Sequence, residues 1–321
     1  MMTLLEVKNL KMYYQTLRGQ VKAVDDIDFW VERGEAVGLA GESACGKTSA
    51  MLTVLRLLPS NGKIMGGSVN FDGQDLLKMS DNEFRNNVRW KKISVIFQGA
   101  MNALHPTKKI GEQLSEPILI HEDIEKEEAW ERVGKLLDLV GVGAERLDRY
   151  PHELSGGLKQ RSMIAMSLVC NPALVIADEP TTALDVITQA QVLKVIKELR
   201  QKLDLSMILV SHDLSVIAET CDKVAIMYAG KIVEFGDIAS VFTEPLHPYS
   251  EHLIAAFPSV LGEKRELTTI HGFPPDLLNP PPGCRFHPRC QFAEEACESG
   301  ERNLFEVGKG HYVACRHRLV V

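Results

Sequence analysis

No apolar run in this 321-residue chain is long enough to cross a bilayer. The strongest candidate, Met163 to Ala177, is interrupted by Asn171-Pro172 and falls short of the roughly 18–20 residues that a hydrocarbon core demands, so any membrane role is expected to be peripheral. A surplus of positive charge is also missing. The 36 Lys and Arg stand against 43 Asp and Glu, a formal net charge of −7, which argues against a nucleic-acid backbone as the main partner. No internal repeat and no sustained heptad array is found, which leaves out repeat arrays and long coiled-coil arms. The start, Met1-Met2-Thr3-Leu4-Leu5-Glu6-Val7-Lys8, lacks a long apolar core, reads as a strand rather than a secretory signal, and places the expected chain in the cytoplasm. What remains, 45% hydrophobic and 25% charged residues, is the composition of an ordinary globular protein with room for one large core and a smaller satellite.

Apolar positions alternate from residue 4 to about 40 and end in the buried-looking run Ala36-Val37-Gly38-Leu39-Ala40. A glycine loop follows, then a helical pattern from Ser49 to Leu58 that stops at Pro59. Residues 67–73 read as a strand ending in a turn, Ser80 and Glu83 as a capping box, and Ile93–Phe97 as a strand ending at Gln98. From about 105 to 160 helix formers dominate, so an inserted helical subdomain is expected there. Leu174–Ala177 and Met207–Val210 are short apolar strands, and between them Val192, Val195, Ile196, Leu199 and Leu203 share one helical face. Strands alternating with helices predict an α/β fold with a mainly parallel sheet. Past Phe257 the chain turns proline-rich, so residues 1–255 are read as the main domain and 256–321 as a small extension.

Three motifs carry the chemistry. Gly41-Glu42-Ser43-Ala44-Cys45-Gly46-Lys47-Thr48 fits G-x-x-x-x-G-K-T between a strand and a helix. Consecutive backbone N–H groups at a helix N-terminus form a concave nest for a β-phosphate. Lys47 is placed to reach the β and γ oxygens, and Thr48 to ligate Mg²⁺. Mg²⁺ keeps most of its waters, so few protein ligands are needed beyond Thr48 and, through water, Asp178. Glu179 follows Asp178 at a strand end and is the candidate base that orients or deprotonates the attacking water. Leu154-Ser155-Gly156-Gly157-Leu158-Lys159-Gln160 stands between these two motifs.

With Ala177-Asp178-Glu179-Pro180-Thr181-Thr182-Ala183-Leu184-Asp185 in the same order, residues 4–255 resemble the nucleotide-binding subunits of ATP-binding-cassette transporters. The resemblance implies a P-loop NTPase core and an ATP-hydrolysing motor. It implies that Tyr14 stacks on adenine, with Tyr13 as the rival, and that residues 41–49, including Ser49, hold the nucleotide. Gln98 resembles the glutamine that senses the γ-phosphate, is counted with Thr48 and Asp178 among the Mg²⁺ residues, and links to the membrane subunits. Ser155, Gly156 and Gly157 resemble the signature that caps the partner subunit's γ-phosphate. Asp185 matches the loop that crosses the cassette dimer, and His212 the switch histidine. Position 44 departs from the pattern, being alanine where such loops commonly have glycine. If it needs a left-handed conformation, that costs about 1 kcal/mol or more.

Residues 245–257 and 274–290 look like the C-terminal extension of the D-type ATPase of oligopeptide and dipeptide importers, a region that in the resemblance can carry an iron–sulfur cluster. Cys284, Cys290, Cys297 and Cys315 are separated by five, six and seventeen residues, which fits neither common zinc knuckles nor ferredoxin runs. A 4Fe-4S cluster is favoured over tetrahedral zinc, with free buried cysteines as the remaining alternative. The expected partners are a second cassette subunit, either an F-type homologue or a second copy, and two integral membrane permease subunits on whose cytoplasmic face the chain would dock. An extracellular solute-binding protein is an indirect partner, and nucleic acid is not one. Di- or oligopeptides are the implied cargo, with nickel and oligosaccharides as alternatives and a DNA-repair ATPase as a distant one.

Overall fold

The computed structural model describes residues 2–99, 103–256, 270, 272–299 and 303–315. In chain order the strands are β1 (Thr3–Thr16), β2 (Gly19–Glu32), β3 (Ala36–Ala40), β4 (Gly62–Phe71), β5 (Gln74–Asp75), β6 (Ile93–Ile96), β7 (Leu174–Asp178), β8 (Ser206–Val210), β9 (Lys223–Tyr228), β10 (Lys231–Asp237), β11 (Phe305–Gly308) and β12 (His311–Val313). The helices are α1 (Lys47–Val54), α2 (Asp81–Asn87), α3 (Ile110–His121), α4 (Lys126–Leu139), α5 (Gly156–Leu168), α6 (Val186–Leu203), α7 (Leu214–Thr220), α8 (Ile238–Thr243) and α9 (Pro248–Ala255). The chain forms two compact units. One comprises the described residues of Thr3–Val31, Ala36–Leu77 and Val210–Val321, the other those of Met1–Met2, Glu32–Glu35 and Lys78–Leu209.

In the first unit β1, β2, β4 and β5 form an antiparallel sheet in the order β2-β1-β4-β5. The alternation of β1 slips at Asn9: Leu5 and Val7 are buried before it, Leu10 and Met12 after it. A bulge resolves the slip, with Asn9 at φ 47° and the pairing to β4 shifting between Lys8 and Lys11, so all four apolar side chains reach the core. The other strands of this unit run in the order β11-β12-β10-β9-β3. β3 is buried along its whole length and pairs parallel with β9, whereas β9, β10, β12 and β11 are successive antiparallel neighbours.

The second unit holds β8-β7-β6, with β6 and β7 parallel from Ile93↔Leu174 to Ile96↔Ala177. The stretch 105–160 contains α3, α4 and the start of α5. On α3, Ile110, Leu114 and Ile118 repeat every four residues and are fully buried, and on α4 Ala129, Val133 and Leu137 do the same.

Three expectations are corrected. The strands are not mainly parallel: β1, β2, β4 and β5 form an antiparallel sheet, and among the others the parallel pairs β3–β9 and β6–β7 stand beside antiparallel ones. Tight turns at Asp72-Gly73 and Ala229-Gly230, all four residues at positive φ, can only join antiparallel neighbours, while parallel pairs arise where a helix makes the crossover. The helix after the phosphate loop ends at Val54 rather than Leu58, because Arg56 turns to φ 51°. Leu203 is 45% exposed, so the buried face of α6 is Val192, Leu193, Ile196 and Leu199.

The described residues after α9 belong to the first unit and share its core. Phe286 is fully buried, with ring centroids 5.2 Å from Tyr228 and 5.4 Å from Tyr249. β12 continues the sheet from β10, and Tyr312 packs edge-on against Trp30 at 5.0 Å.

Candidate functional site

The phosphate loop lies in the first unit, between β3 and α1. Gly41 (φ 144°) and Gly46 (φ 110°) hold conformations that side chains avoid, and a Cβ at either would sit 2.1 Å from a carbonyl, that of Met227 or Ala23. Gly46 caps α1 and Cys45 is buried, while Ser43 and Thr48 are exposed. Lys47 is 7% exposed, and its Nζ donates to the carbonyls of Gly41 at 2.7 Å and Glu42 at 3.0 Å. The ammonium is thus stored against the loop's own oxygens. The Tyr14 hydroxyl lies 3.0 Å from Ser49 Oγ, which sets Tyr14 beside α1, whereas Tyr13 donates to Asp25 Oδ1 at 2.5 Å.

Ala44 does adopt the left-handed region, at φ 63°. Alanine pays steric strain there of about 1–2 kcal/mol, against which glycine would forfeit about 0.5–1 kcal/mol of chain entropy. Ala44→Gly is therefore expected to stabilise the protein by about 0.5–1 kcal/mol, read as a higher urea midpoint at unchanged slope. An unchanged or lower midpoint would show that the strain is relieved elsewhere in the loop.

In the second unit β7 delivers Asp178, 7% exposed, and then Glu179, a non-glycine residue at φ 45°. Glu179 Oε2 accepts from Gln98 Nε2 at 2.7 Å and from Thr182 Oγ1 at 2.9 Å. Strain of this kind persists only where neighbours fix it, and here two donors aim one carboxylate. Ser155 caps α5, its Oγ accepting from Leu158 N–H at 3.4 Å, and Gly156 and Gly157 form the first turn. Gln160, one turn further, is buried and donates to the Pro180 carbonyl at 2.5 Å, tying the signature helix to the loop after Glu179. Asp185 caps α6, accepting from Thr188 N–H and Oγ1 at 3.0 and 2.6 Å, and these bonds hold its carboxyl below the usual range. His212, after β8, is exposed in the first unit.

The sequence reading assigned no role to the side chains that brace the loop from α9 and from the segment after it. Tyr249 Oη accepts from Glu42 N–H at 2.8 Å. Burial pushes His247 down to about 4, and the neutral ring accepts from Tyr249 N–H through Nδ1 at 3.0 Å. Arg289 forms a two-pronged pair with Glu42, and Arg285 a buried pair with Asp25 that also reaches the Ala229 carbonyl. The only sequence signal was two arginines, 285 and 289, lying between Cys284 and Cys290.

All seven cysteines are free thiols. Burial pushes Cys284 up to about 11, with Cys315, Cys290 and Cys297 near enough to add to the shift, and Cys290 moves the same way. Cys284 N–H donates to the Cys297 carbonyl at 2.9 Å. Among the described residues, no group of three or more His, Cys, Asp or Glu side chains is arranged to hold a metal ion. The expected metal or cluster site is therefore not assembled here as a coordination sphere: what is present is a neighbourhood of thiols.

A phosphate loop before a helix, an Asp-Glu pair ending a buried strand and a serine-capped signature helix define an ATP-hydrolysing cassette. Residues 24–182 match the family model described as ABC transporter, and residues 233–297 that of the oligopeptide/dipeptide transporter C-terminal region. The chain is 45% identical to the oligopeptide transport ATP-binding protein AppD of Bacillus subtilis, over 98% of this chain and 97% of that one. To the oligopeptide transport ATP-binding protein OppD of Escherichia coli it is 44% identical, over 97% and 92%. Among solved structures it resembles the dimeric ATP-binding cassette MJ0796 bound to ADP and phosphate, with TM-score 0.65 and 25% identity over 73% of this chain and 98% of that one. The chain belongs to the ABC transporter family, as an ATP-binding subunit of the importer type, an ATPase coupled to transmembrane solute transport. Such subunits act as paired cassettes on membrane permeases.

Proposed function

We propose that this subunit powers the import of di- or oligopeptides, with residues 1–255 as the cassette and 256–321 as the extension. The observation that carries this reading is the likeness to peptide-transport subunits over almost the whole chain, the extension's region included. Two ATPs are sandwiched between this cassette and an F-type homologue. Each is held by one subunit's residues 41–49 with Tyr14, Thr48, Asp178 and Gln98 around Mg²⁺, and by the other's Ser155, Gly156 and Gly157. Glu179 activates water, Asp185 lies in the loop that crosses between the paired cassettes, and His212 contacts the γ-phosphate. The closed pair persists only while triphosphate bridges it, so hydrolysis reopens it.

Exposed apolar side chains support both contacts. Val186 and Ile187, beside Asp185, are 82% and 73% exposed, a cost that a facing cassette removes. Phe97 beside Gln98 and Ile120 at the end of α3 are exposed where membrane subunits would dock at the cytoplasmic face. Among the described residues no helix is long and apolar enough to cross a membrane. Reconstituting this subunit with its permeases and binding protein in proteoliposomes tests the cargo. Peptides are expected to stimulate ATP hydrolysis, and stimulation by nickel or an oligosaccharide alone would reassign it.

For the extension, the proposed group is a 4Fe-4S cluster on Cys284, Cys290, Cys297 and Cys315. Neighbouring thiols, part-buried at Cys284, Cys290 and Cys297 and buried at Cys315, oppose the ionisation of Cys284, which a polycationic centre would reverse. When bound, the cluster would supply a structural staple to a unit short of core. Anaerobically purified protein is expected to be brown, with about four irons per chain. Colourless protein with stoichiometric zinc, or with no metal, would overturn the assignment.

A further inference from the structure

The loop Gly41–Ser49 contains one acid, Glu42, and one base, Lys47. An uncompensated carboxylate there would cancel the lysine's charge beside a polyanionic ligand. Arg289 meets that carboxylate with both arms, Nη1 to Oε2 at 2.9 Å and Nη2 to Oε1 at 3.1 Å. It also donates to the Tyr228 hydroxyl at 3.2 Å and to the carbonyls of Ile270 and Gly272 at 3.4 and 3.3 Å. Its guanidinium lies over the rings of Tyr228 and Phe286, 5.7 and 5.9 Å from their centroids. The side chain is 6% exposed. Burial alone would weaken the guanidinium's charge, but the Glu42 carboxylate and Tyr228 hydroxyl outweigh it and move its pKa upward. Residue 42 is thereby gripped at three points: its N–H by Tyr249, its carbonyl by Lys47 and its carboxylate by Arg289.

We propose that Arg289, an extension residue with no place in the nucleotide-binding motifs, is a positioning residue for ATP: through Glu42 it neutralises the loop's acid and fixes the loop's entry for the triphosphate. The inference rests on the reading that residues 41–49 hold the phosphates. The extension thus contributes directly to the charge of the nucleotide site. The planar fork matters, because lysine can match the charge but not both carboxylate oxygens.

The test uses the full-length subunit, a fluorescent ATP analogue with Mg²⁺, and steady-state ATPase kinetics. Arg289→Met is expected to weaken nucleotide binding and raise KM for ATP by about tenfold, with kcat changed less than about twofold. Arg289→Lys should recover part of the loss. The double variant E42Q/R289M should bind within about threefold of E42Q alone, because no anion is then left unpaired. Parental affinity in R289M, or a loss the double variant does not rescue, would reduce Arg289 to a structural clamp and overturn the proposal. If R289M fails to fold, R289K and the double variant decide by the same criteria. Lys47→Ala serves as the control. If it abolishes binding while R289M binds normally, this inference alone fails; if K47A binds like the parent, the reading of the loop fails and takes the inference with it.

Discussion

Replacing Glu179 by glutamine should lower ATP turnover by about 10²–10⁴-fold while ATP still binds, which is the range expected for losing a positioned general base. The substitution isolates chemistry from placement. Glutamine keeps a side-chain oxygen able to accept from Gln98 Nε2 and Thr182 Oγ1, the two donors that hold Glu179 at 2.7 and 2.9 Å. What it loses is the capacity to take a proton. Phosphate release measured beside nucleotide retention separates the two effects, and light scattering should find the ATP-bound pair of cassettes persisting. Hydrolysis at the parental rate would remove Glu179 from the role of base, and a loss of ATP binding would mean that it shapes the site instead.

Arg285→Met is expected to be the most destabilising of the substitutions considered, at about 3–5 kcal/mol, because it strands a buried carboxylate. The Arg285 and Asp25 side chains are 5% and 7% exposed and form a direct ion pair. Asp25 lies behind the phosphate loop: its N–H donates to the Gly230 carbonyl at 2.9 Å, and Gly230 N–H donates to the Cys45 carbonyl at 2.7 Å. Burial pushes the Asp25 pKa up, but the Tyr13 hydroxyl and the Arg285 guanidinium outweigh it, leaving the carboxyl below its ordinary 3.8. A depressed folded pKa contributes stability that is present above the unfolded value and is lost as pH falls through the lower folded value. Without Arg285 the burial effect gains weight and the folded pKa rises. The deficit of R285M should therefore be largest at neutral pH and shrink on acidification, as protonation discharges the stranded group. Denaturant midpoints between pH 7 and pH 4 check this, and a deficit independent of pH would assign the loss to packing. Asp25→Asn combined with R285M should recover much of the stability at pH 7, since no charge is left unpaired.

The parts legible in the sequence are those where a local pattern and a local conformation coincide. The phosphate loop was readable because Gly41 and Gly46 occupy conformations and close contacts that only glycine tolerates. The helix start at Ser80 was readable because a polar side chain capping the third N–H of its helix leaves a short-range signature. Even Ala44 could be singled out, since a residue type unsuited to φ > 0 stands where the loop turns left-handed. The sheet was less legible. Short apolar runs do not tell parallel from antiparallel, and the tail's strands β11 and β12 are only four and three residues long.

The sequence by itself determined the family, the nucleotide loop, the Asp178-Glu179 pair and the signature helix, because each is written in consecutive residues whose spacing is the chemistry. Tertiary structure alone decided that the cysteine-rich tail braces the phosphate loop. The Arg289–Glu42 and Arg285–Asp25 pairs join residues about 250 positions apart. No periodicity or motif encodes such a pairing. It arises because the described residues after α9 share the first unit's core: burying Phe286 against Tyr228 and Tyr249 carries their arginines to the two acids of the nucleotide site and its backing strand.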